Sequence, residues 1–343
     1  MSGRRANQRV TLKDIANALG LSVPAVSMAL RGRREISEDT RKRVRAKADE
    51  LGYRPDPAMR ALADYRTRRR SAARRWDRIA LLHDWPSPEA WHGHDFYGGW
   101  QERLRELGEE RGMEIEEHWL GAGGVNRRAV FRSLRHRGIT GLLLAPPALS
   151  SEPVEIQVPP GNEFQVVTFG PEHLYRHFHT VQFDYYENLR LAWAKLWGKG
   201  HRRIGLLYEK SQGWRTGQAW RAAFHIEKLE AGCKPGERMP LMVSGNDDAM
   251  DRRAYLEWLR NDRYDAVISS VYRVEEWNRG VDPVPDVAFF NVRGPGQQGL
   301  DINLDQLLRS AFELLYVEMQ QTLVERHDLP FRIHIPGKWV DAD

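Results

Sequence analysis

Two short helical patterns joined by a tight turn constrain the N-terminal part of this chain more than any other feature. In the first pattern, Thr11 and Asp14 have the spacing of a capping box, and apolar residues follow on one helical face. Gly20 is of a type that ends helices, and Ser22 is of a type that begins them. A third pattern begins at Ser37. Two helices so closely joined, with a third beside them, predict a helix-turn-helix unit.

The second helical pattern divides into a core face and free faces. Its core-facing residues and those of the third pattern are predicted to be Val26, Ala29, Leu30, Val44, Ala48 and Leu51. Pro24 lies in the first turn, where a missing N–H is tolerated. The side chains left for other contacts are Val23, Ala25, Ser27, Met28 and Arg31.

Charge is distributed unevenly along the chain. Residues 1–78 contain 21 Lys and Arg against 9 Asp and Glu, whereas residues 79–343 contain 31 against 38. A basic N-terminal part indicates a polyanionic partner, and the mildly acidic remainder does not. A solvated basic surface is the alternative, but here the charge coincides with a compact helical pattern.

The composition predicts a cytoplasmic protein with no membrane partner. Cys233 is the only cysteine, so an internal disulfide framework is excluded and a reducing compartment is favoured. No apolar run approaches 18 residues, and the N-terminus lacks the apolar segment of a secretory signal.

Residues 10–63 resemble the head of the LacI/GalR family of bacterial transcription regulators. The resemblance lies in VT-x-x-DIA, in the G-x-S-x-x-x-VS turn and helix, in I-S-x-x-T-R and in the LGY-x-P exit. It implies that the second helix enters the major groove of an operator half-site and that the protein binds as a homodimer.

The resemblance also implies roles for individual residues. Val23, Pro24 and Met28 would face base edges, where small apolar groups can pack on thymine methyls but make no bidentate hydrogen bonds. Better-known members carry polar residues at the positions of Pro24 and Met28. Arg33 and Arg34 follow in a loop suited to phosphate contact. The predicted DNA-binding residues are Thr11, Leu12, Ser22, Val23, Pro24, Ala25, Ser27, Met28, Arg31, Arg33, Arg34, Tyr53, Ala58, Ala61 and Leu62. The alternative is that Val23 and Met28 contact only protein.

Residues 55–76 form the boundary between head and body. A helix of two turns over 58–65 is too short to be stable alone. In the family this hinge helix folds on operator DNA beside its dimer mate, and a leucine enters the minor groove. Leu62 is the matching residue, with Ala58 and Ala61 beside it. Six arginines in 66–75 would contact flanking phosphates or form a solvated linker. The predicted domains are therefore 1–54, 55–76 and 77–343.

Strands and helices alternate through the body, which predicts an α/β fold with two parallel sheets. Strands are predicted over 78–83, 115–120, 141–145, 164–169, 204–208, 240–243, 266–269 and 287–291, before a closing FRIHIP segment. Helices are predicted over 96–111, 125–137, 185–199, 214–229, 251–261 and 304–325.

Residues 179–207 resemble the family's V-x-x-D and LxxxGHRRIGxL segment. The resemblance implies a body of the type I periplasmic-binding-protein fold, with two lobes around a ligand and a role in dimerisation. The chain would cross between the lobes near 170–184, 291–303 and 326.

The resemblance places an effector cleft between the lobes, but several positions depart from the family. Val271-Tyr272 stands where an Asn-Asp pair is usual, and Arg293-Gly294 replaces an acidic pair. Arg215 lies one residue from an expected arginine, and Asp184 matches the crossover aspartate. Aromatic faces with a few polar groups suit a sugar ring, although ordinary packing is the alternative for each tryptophan. The predicted effector-binding residues are Trp85, Trp91, Phe96, Asp184, Trp214, Arg215, Tyr272, Asn291 and Arg293, with Tyr97 as further aromatic surface.

Other chemistry is not supported by the sequence. His92, His94, His173, His177 and His179 have spacings that a metal could use, but no cysteine supports them, and we predict no metal and no cofactor. No nucleotide-binding or hydrolase motif occurs. A periplasmic solute-binding protein needs an export signal and no basic head, and a carbohydrate-active enzyme needs an acid–base pair that we do not find.

The sequence therefore predicts a sequence-specific transcription regulator, a repressor rather than an enzyme. It would bind a near-palindromic operator as a dimer, under control of a small-molecule effector of sugar type. The alternative is a DNA-binding regulator whose body is degenerate and binds no ligand.

Overall fold

The computed structural model describes residues 10–30, 36–53, 77–94, 96–121, 125–148, 155–160, 163–234, 236–320 and 329–342. They form two compact units, a head that contains residues 10–53 and a body that contains residues 77–316 and 329–342. The predicted hinge over 55–76 lies outside the described residues, so the predicted domain boundaries stay predictions.

Three helices form the head, as the capping pattern predicts. They are α1 (Leu12–Leu19), α2 (Val23–Leu30) and α3 (Glu38–Glu50). Thr11 N donates a hydrogen bond to Asp14 Oδ2 over 2.8 Å, which completes the capping of α1. Gly20 has φ 65°, a left-handed conformation that glycine adopts without strain and that ends α1.

A small apolar core holds the three helices together. Its fully buried residues are Ile15, Ala16, Val26, Ala29, Val44 and Ala48. Leu30 and Leu51 pack against them and remain half-buried. The core face predicted from helical spacing is therefore the face that the fold buries.

The body contains two six-stranded sheets, which confirms the predicted fold class. The first sheet has the order β11-β5-β4-β3-β1-β2 and the second β12-β10-β9-β8-β6-β7. All pairs are parallel except β10 with β12. The strands are β1 (Asp77–His83), β2 (Met113–Trp119), β3 (Gly141–Leu144), β4 (Gln165–Thr168), β5 (His179–Phe183), β6 (Ile204–Glu209), β7 (Leu241–Val243), β8 (Ala266–Ser269), β9 (Asp286–Phe289), β10 (Gln298–Asp301), β11 (Arg332–Ile335) and β12 (Lys338–Val340).

We call the two sheets with their helices the first lobe and the second lobe. The helices of the body are α4 (Pro88–His92), α5 (Trp100–Glu110), α6 (Arg127–His136), α7 (Tyr185–Gly198), α8 (Lys210–Arg215), α9 (Ala219–Glu230), α10 (Asp248–Asp262), α11 (Val274–Trp277) and α12 (Leu304–Gln320). Each lobe has its own apolar core, around Leu142 in the first and Val267 in the second.

Several predicted elements are wrong in extent. The helix predicted over 96–111 begins only at Trp100, because residues 96–99 form turns that end in two glycines. The helix predicted over 214–229 is two helices, because Gly217 and Gln218 take positive φ and separate α8 from α9. Strands β5, β10 and β12 and the short helices α4 and α11 are missing from the prediction.

The predicted crossings between lobes also need correction. The first follows β5 at Asp184, at the end of its predicted range. At the second crossing, β10 still belongs to the second sheet while α12 already contacts α5 of the first lobe, so the chain crosses at residues 302–303. The third lies at residues 336–337, between β11 and β12, rather than near 326.

Ion pairs connect α12 to the first lobe. Arg103 Nε of α5 lies 2.6 Å from Asp305 Oδ1, and Arg309 Nη1 lies 3.3 Å from Glu110 Oε2. Arg111 pairs with Glu313 one turn further along. Helix α12 is therefore part of the first lobe, although the strand before it belongs to the second. No helix among the described residues is long and apolar enough to cross a membrane.

Gly205→Ala should destabilise the second lobe. A Cβ at Gly205 would overlap the Trp258 ring, which packs against the Tyr264 ring with centroids 4.1 Å apart. We expect a loss of about 1–3 kcal/mol, seen as a lower midpoint of urea unfolding followed by tryptophan fluorescence. Gly198→Ala is the control, because a Cβ there meets nothing within 4 Å. Equal midpoints for the two variants would contradict the packing described here.

Val26→Ala and Val23→Ala make the same change three residues apart in α2. Val26 is fully buried in the head core, whereas Val23 is 40% exposed. Amide hydrogen exchange of head peptides in the full-length chain should be faster in Val26→Ala than in the wild type. The reason is that this variant loses about 1–3 kcal/mol of stability. Val23→Ala should exchange like the wild type, and equal acceleration in both variants would refute the assigned faces.

Candidate functional site

The outward surface of α2 is apolar at its beginning. Val23 and Pro24 are exposed, and Ala25, Ser27 and Met28 are half-buried. Ser22 is exposed, and its Oγ accepts a hydrogen bond from Ala25 N over 3.2 Å. A small apolar surface with one further hydroxyl, that of Ser27, is thus presented by the first two turns of the helix.

Three other predicted DNA-binding residues have partners within the head. Thr11 Oγ1 donates to Asp14 Oδ2 over 2.7 Å, and the hydrogen bonds from the Thr11 side chain and backbone lower the pKa of the Asp14 carboxyl. Leu12 and Tyr53 are half-buried against the head core. The predicted residues Arg31, Arg33, Arg34, Ala58, Ala61 and Leu62 lie outside the described residues.

In the body, loops that follow strands of the two sheets are in contact with each other. Loops that follow parallel strands gather at one edge of a sheet, where ligands of α/β proteins commonly bind. Pro147 follows β3 in the first lobe, and Arg215 follows β6 in the second lobe. Arg215 Nη2 donates to the carbonyl oxygen of Pro147, so the two edges are in contact.

Arg215 is the centre of this contact. Its side chain is 5% exposed, and Nη1 donates to the hydroxyl of Tyr97 in the first lobe. The guanidinium carbon lies 5.5 Å from the Tyr97 ring centroid and 5.4 Å from that of Trp214, distances typical of cation–π contacts. Burial raises the pKa of Tyr97, although the nearby arginine charge acts in the opposite direction, so the phenol is neutral.

The predicted aromatic residues of the first lobe form one cluster of rings. Trp91 stacks on Tyr97 with centroids 5.6 Å apart, and both contact Trp85 and Trp100 edge to face. Trp91 is fully buried, and Trp85 Nε1 donates to the Pro146 carbonyl oxygen over 3.0 Å. Both residues have the burial of core side chains.

Phe96 continues the cluster toward the second lobe. It contacts Phe183 at the end of β5, and Tyr185 follows at 6.3 Å from Phe183. Tyr185 meets Trp220 of α9, which stacks on Phe290 with centroids 3.8 Å apart. The prediction missed Tyr185, Trp220 and Phe290, although each lies within a few residues of a predicted site position.

Tyr272, Asn291 and Arg293 come together at the carboxyl edge of the second sheet. Tyr272 Oη donates to the Asn291 carbonyl oxygen over 2.6 Å, and its ring stacks on Phe289 of β9. The Arg293 guanidinium carbon lies 3.7 Å from the Tyr272 ring centroid. Burial raises the pKa of Tyr272, against the lowering effect of Arg293. The edge therefore carries a second cation close to an aromatic face.

Asp184 has a structural role in addition to its predicted position at the crossover. Its Oδ1 accepts a hydrogen bond from Glu187 N over 3.0 Å, which caps α7, and its backbone N donates to Ile335 O. Asp184, which the resemblance assigns to effector binding, is thus also the residue at which the chain leaves the first sheet.

The histidines do not assemble a metal site in the described part of the chain. His92 and the buried His83 both contact Glu117 Oε1, at 3.1 Å and 3.0 Å. His179 accepts a hydrogen bond from Phe331 N through Nδ1. His173 lies beside Gly217, and burial lowers its pKa, opposed by the neighbouring Glu172.

Known proteins resemble this chain in its head and in its fold. Residues 11–56 match the model of the family "Bacterial regulatory proteins, lacI family". The HTH-type transcriptional regulator RafR of Escherichia coli is 45% identical over 58 residues, which are 17% of this chain and 17% of RafR. Curated relatives of this kind are matched over only 15–18% of their own length.

Solved structures extend the similarity to the body. The complex of the transcriptional regulator CelR with cellobiose is 20% identical and covers 97% of this chain and 99% of its own, with a TM-score of 0.54. The Lac repressor dimer bound to operator and the anti-inducer ONPF is 16% identical over 97% of this chain and 98% of its own, also with a TM-score of 0.54. The predicted resemblance is therefore confirmed: residues 11–56 match the lacI family of bacterial regulatory proteins, and the body has the fold of the CelR and Lac repressor structures.

Proposed function

We propose that this chain is a sequence-specific DNA-binding transcription regulator, a repressor that binds a near-palindromic operator as a homodimer. The proposal rests on a head that matches the lacI family and whose second helix exposes apolar side chains in its first turn. Val26 and Ala29 of α2 are fully buried, whereas Val23 and Pro24 remain available for contact. We keep the cytoplasm as the predicted location.

Charge supports DNA as the partner of the head. Residues 1–78 carry 21 Lys and Arg against 9 Asp and Glu, a surplus that can replace the counterions of a nucleic acid backbone. The Lac repressor structure, which has the same fold, is a dimer bound to operator. A second copy of this chain would present a second head, and the two would read the halves of a near-palindrome.

The chemistry of α2 suits thymine-rich half-sites. Valine, proline and methionine side chains offer no hydrogen bonds to base edges, but they can pack on the C5 methyl group of thymine. Phosphate contacts from Arg31, Arg33 and Arg34 would position the helix without specifying sequence.

The body is proposed to bind a small, sugar-type effector between its lobes. Aromatic rings and Arg215 meet where the carboxyl edges of the two sheets face each other, as a sugar site requires. CelR, which has this fold, forms a complex with cellobiose. Effector binding would favour one arrangement of the lobes and change DNA affinity by shifting that equilibrium.

A regulator with a ligand-free body is the second candidate. The observation in its favour is that Trp91 is fully buried and Trp85 nearly so, as core residues are. Binding of any effector in the cleft would exclude this candidate.

Selection of genomic fragments by the purified full-length protein, read by sequencing, tests the proposed function. We expect the enriched fragments to share one near-palindrome with an easily kinked central step, at about 0.15 M salt. Enrichment without a shared motif would mean that the head binds by charge alone.

Removal of thymine methyls should weaken binding in a manner that depends on Val23. Replacing half-site thymines by uracil should lower the affinity of the wild type by about fourfold per contacted methyl, corresponding to about 0.8 kcal/mol. Val23→Ala should bind the thymine operator more weakly than the wild type does. On the uracil operator, the variant and the wild type should have nearly the same affinity, and a double-mutant cycle measures the difference. Equal affinity of the wild type for both operators would refute the apolar readout.

Leu62→Ala should weaken binding to the full operator and spare binding to an isolated half-site. The expected reason is that the leucine of each hinge enters the minor groove only at the centre of a palindrome. Titration of both DNAs by fluorescence anisotropy measures the difference. Unchanged affinity for the full operator would contradict the proposed entry of Leu62 into the minor groove.

A further inference from the structure

Arg215 is a buried cation with no acidic partner among the described residues. It is 5% exposed, and its hydrogen bonds go to a phenol oxygen and a carbonyl oxygen, both neutral. Its Nε is buried and has no hydrogen-bond partner in the part of the chain that the structure describes. An arginine remains protonated in a protein, so it cannot escape burial by losing its charge.

Three carboxylates that lie at the ends of strands interact with groups other than Arg215. Asp84, after β1, has Arg127 and His83 as its charged neighbours, although burial raises its pKa. Glu209, at the end of β6, has Arg273 and Asp251, and burial raises its pKa as well. Asp184 caps α7. None of the three forms an ion pair with Arg215.

A donor without an acceptor lies next to Arg215. Trp214, whose ring contacts the guanidinium, has a buried Nε1 that, like Arg215 Nε, has no hydrogen-bond partner among the described residues. The phenols of Tyr97 and Tyr185 stay protonated, because burial raises the pKa of each. A ligand that satisfies this set must bring acceptors rather than donors.

A second arginine lies on the same edge of the second sheet. Arg215 follows β6 and Arg293 follows β9, and both strands are parallel to β8 between them. The guanidinium of Arg293 covers the Tyr272 ring. Two arginines therefore follow strands at the same edge of the second sheet.

We propose that the effector of this protein carries an oxyanion, a carboxylate or a phosphate group, that pairs with Arg215 between the lobes. The planar guanidinium matches such a group in geometry, and a buried pair removes the cost of an isolated charge. The inference rests on the proposed function and specifies the chemical class of its effector. An acidic or phosphorylated sugar fits both the oxyanion site and the aromatic rings.

Binding to the purified full-length protein tests the inference. The probes are D-glucose, D-glucuronate and D-glucose 6-phosphate, the corresponding galactose series, and inorganic phosphate, each measured by calorimetry and thermal shift. We expect at least one sugar oxyanion to bind ten times more tightly than its neutral parent. The carboxylate and phosphate members of each series distinguish the two sources of the charge, and inorganic phosphate shows whether the sugar ring is needed.

Arg215→Gln should abolish that preference, with at least a tenfold loss for the anionic probe. Lys210→Gln is the matched control, because it removes an exposed charge at the beginning of the same helix and should change nothing. Equal binding of neutral and anionic probes, or equal melting shifts in the wild type and Arg215→Gln, would overturn the inference.

Arg215→Met gives a readout in the absence of any probe. An uncompensated buried charge predicts that this variant melts at the wild-type temperature or above it. A fall of more than about 5 °C would mean that the protein itself already satisfies the arginine, and would overturn the inference. Release of operator by a neutral sugar would also overturn it while leaving the proposed function intact. Failure to select any operator would instead count against the proposed function.

Discussion

The geometry of parallel strands decides where this molecule can act. In a parallel sheet every strand ends at the same edge, so the loops after β1, β3, β6, β8 and β9 gather on two facing edges. The contact of Arg215 with Tyr97 and Pro147 joins those edges. The aromatic rings, the two arginines and the crossover aspartate lie near the cleft because the sheets place them there, although they are far apart in sequence.

Local signals predicted the head well, because its elements depend on neighbours in sequence. Thr11 and Asp14 cap α1, Gly20 ends it and Ser22 begins α2, each through contacts within a few residues. The body was predicted less evenly. Strand β5 has the sequence HTVQF and is buried between β4 and β11. It was missed because three of its five residues are polar. Strands β10 and β12 are short and depend on each other across a long stretch of chain.

The site was predicted in type but not in arrangement. Aromatic residues at strand ends indicated a cleft, yet the spacing could not show that Trp91 is enclosed by other rings while Arg215 reaches into the other lobe. Tyr185 and Trp220 were missed because their rings meet through the packing of α7 against α9, which are distant in sequence. That Arg215 forms no ion pair within the described part of the chain has no signature in sequence, since Glu209 lies close to it along the chain but has Arg273 as its charged neighbour.

The three crossings of the chain set a limit on how the lobes can move. Because α12 is held to α5 by ion pairs, bending at the second crossing is confined to the two residues before Leu304, where Asn303 already has a positive φ. Asp184 is fixed at the first crossing by its bond to Ile335, and Gly337 at the third by its bond to the Asn188 side chain. Any movement of one lobe relative to the other would therefore have to be absorbed by these three short segments, because the chain on either side of them is fixed to a lobe.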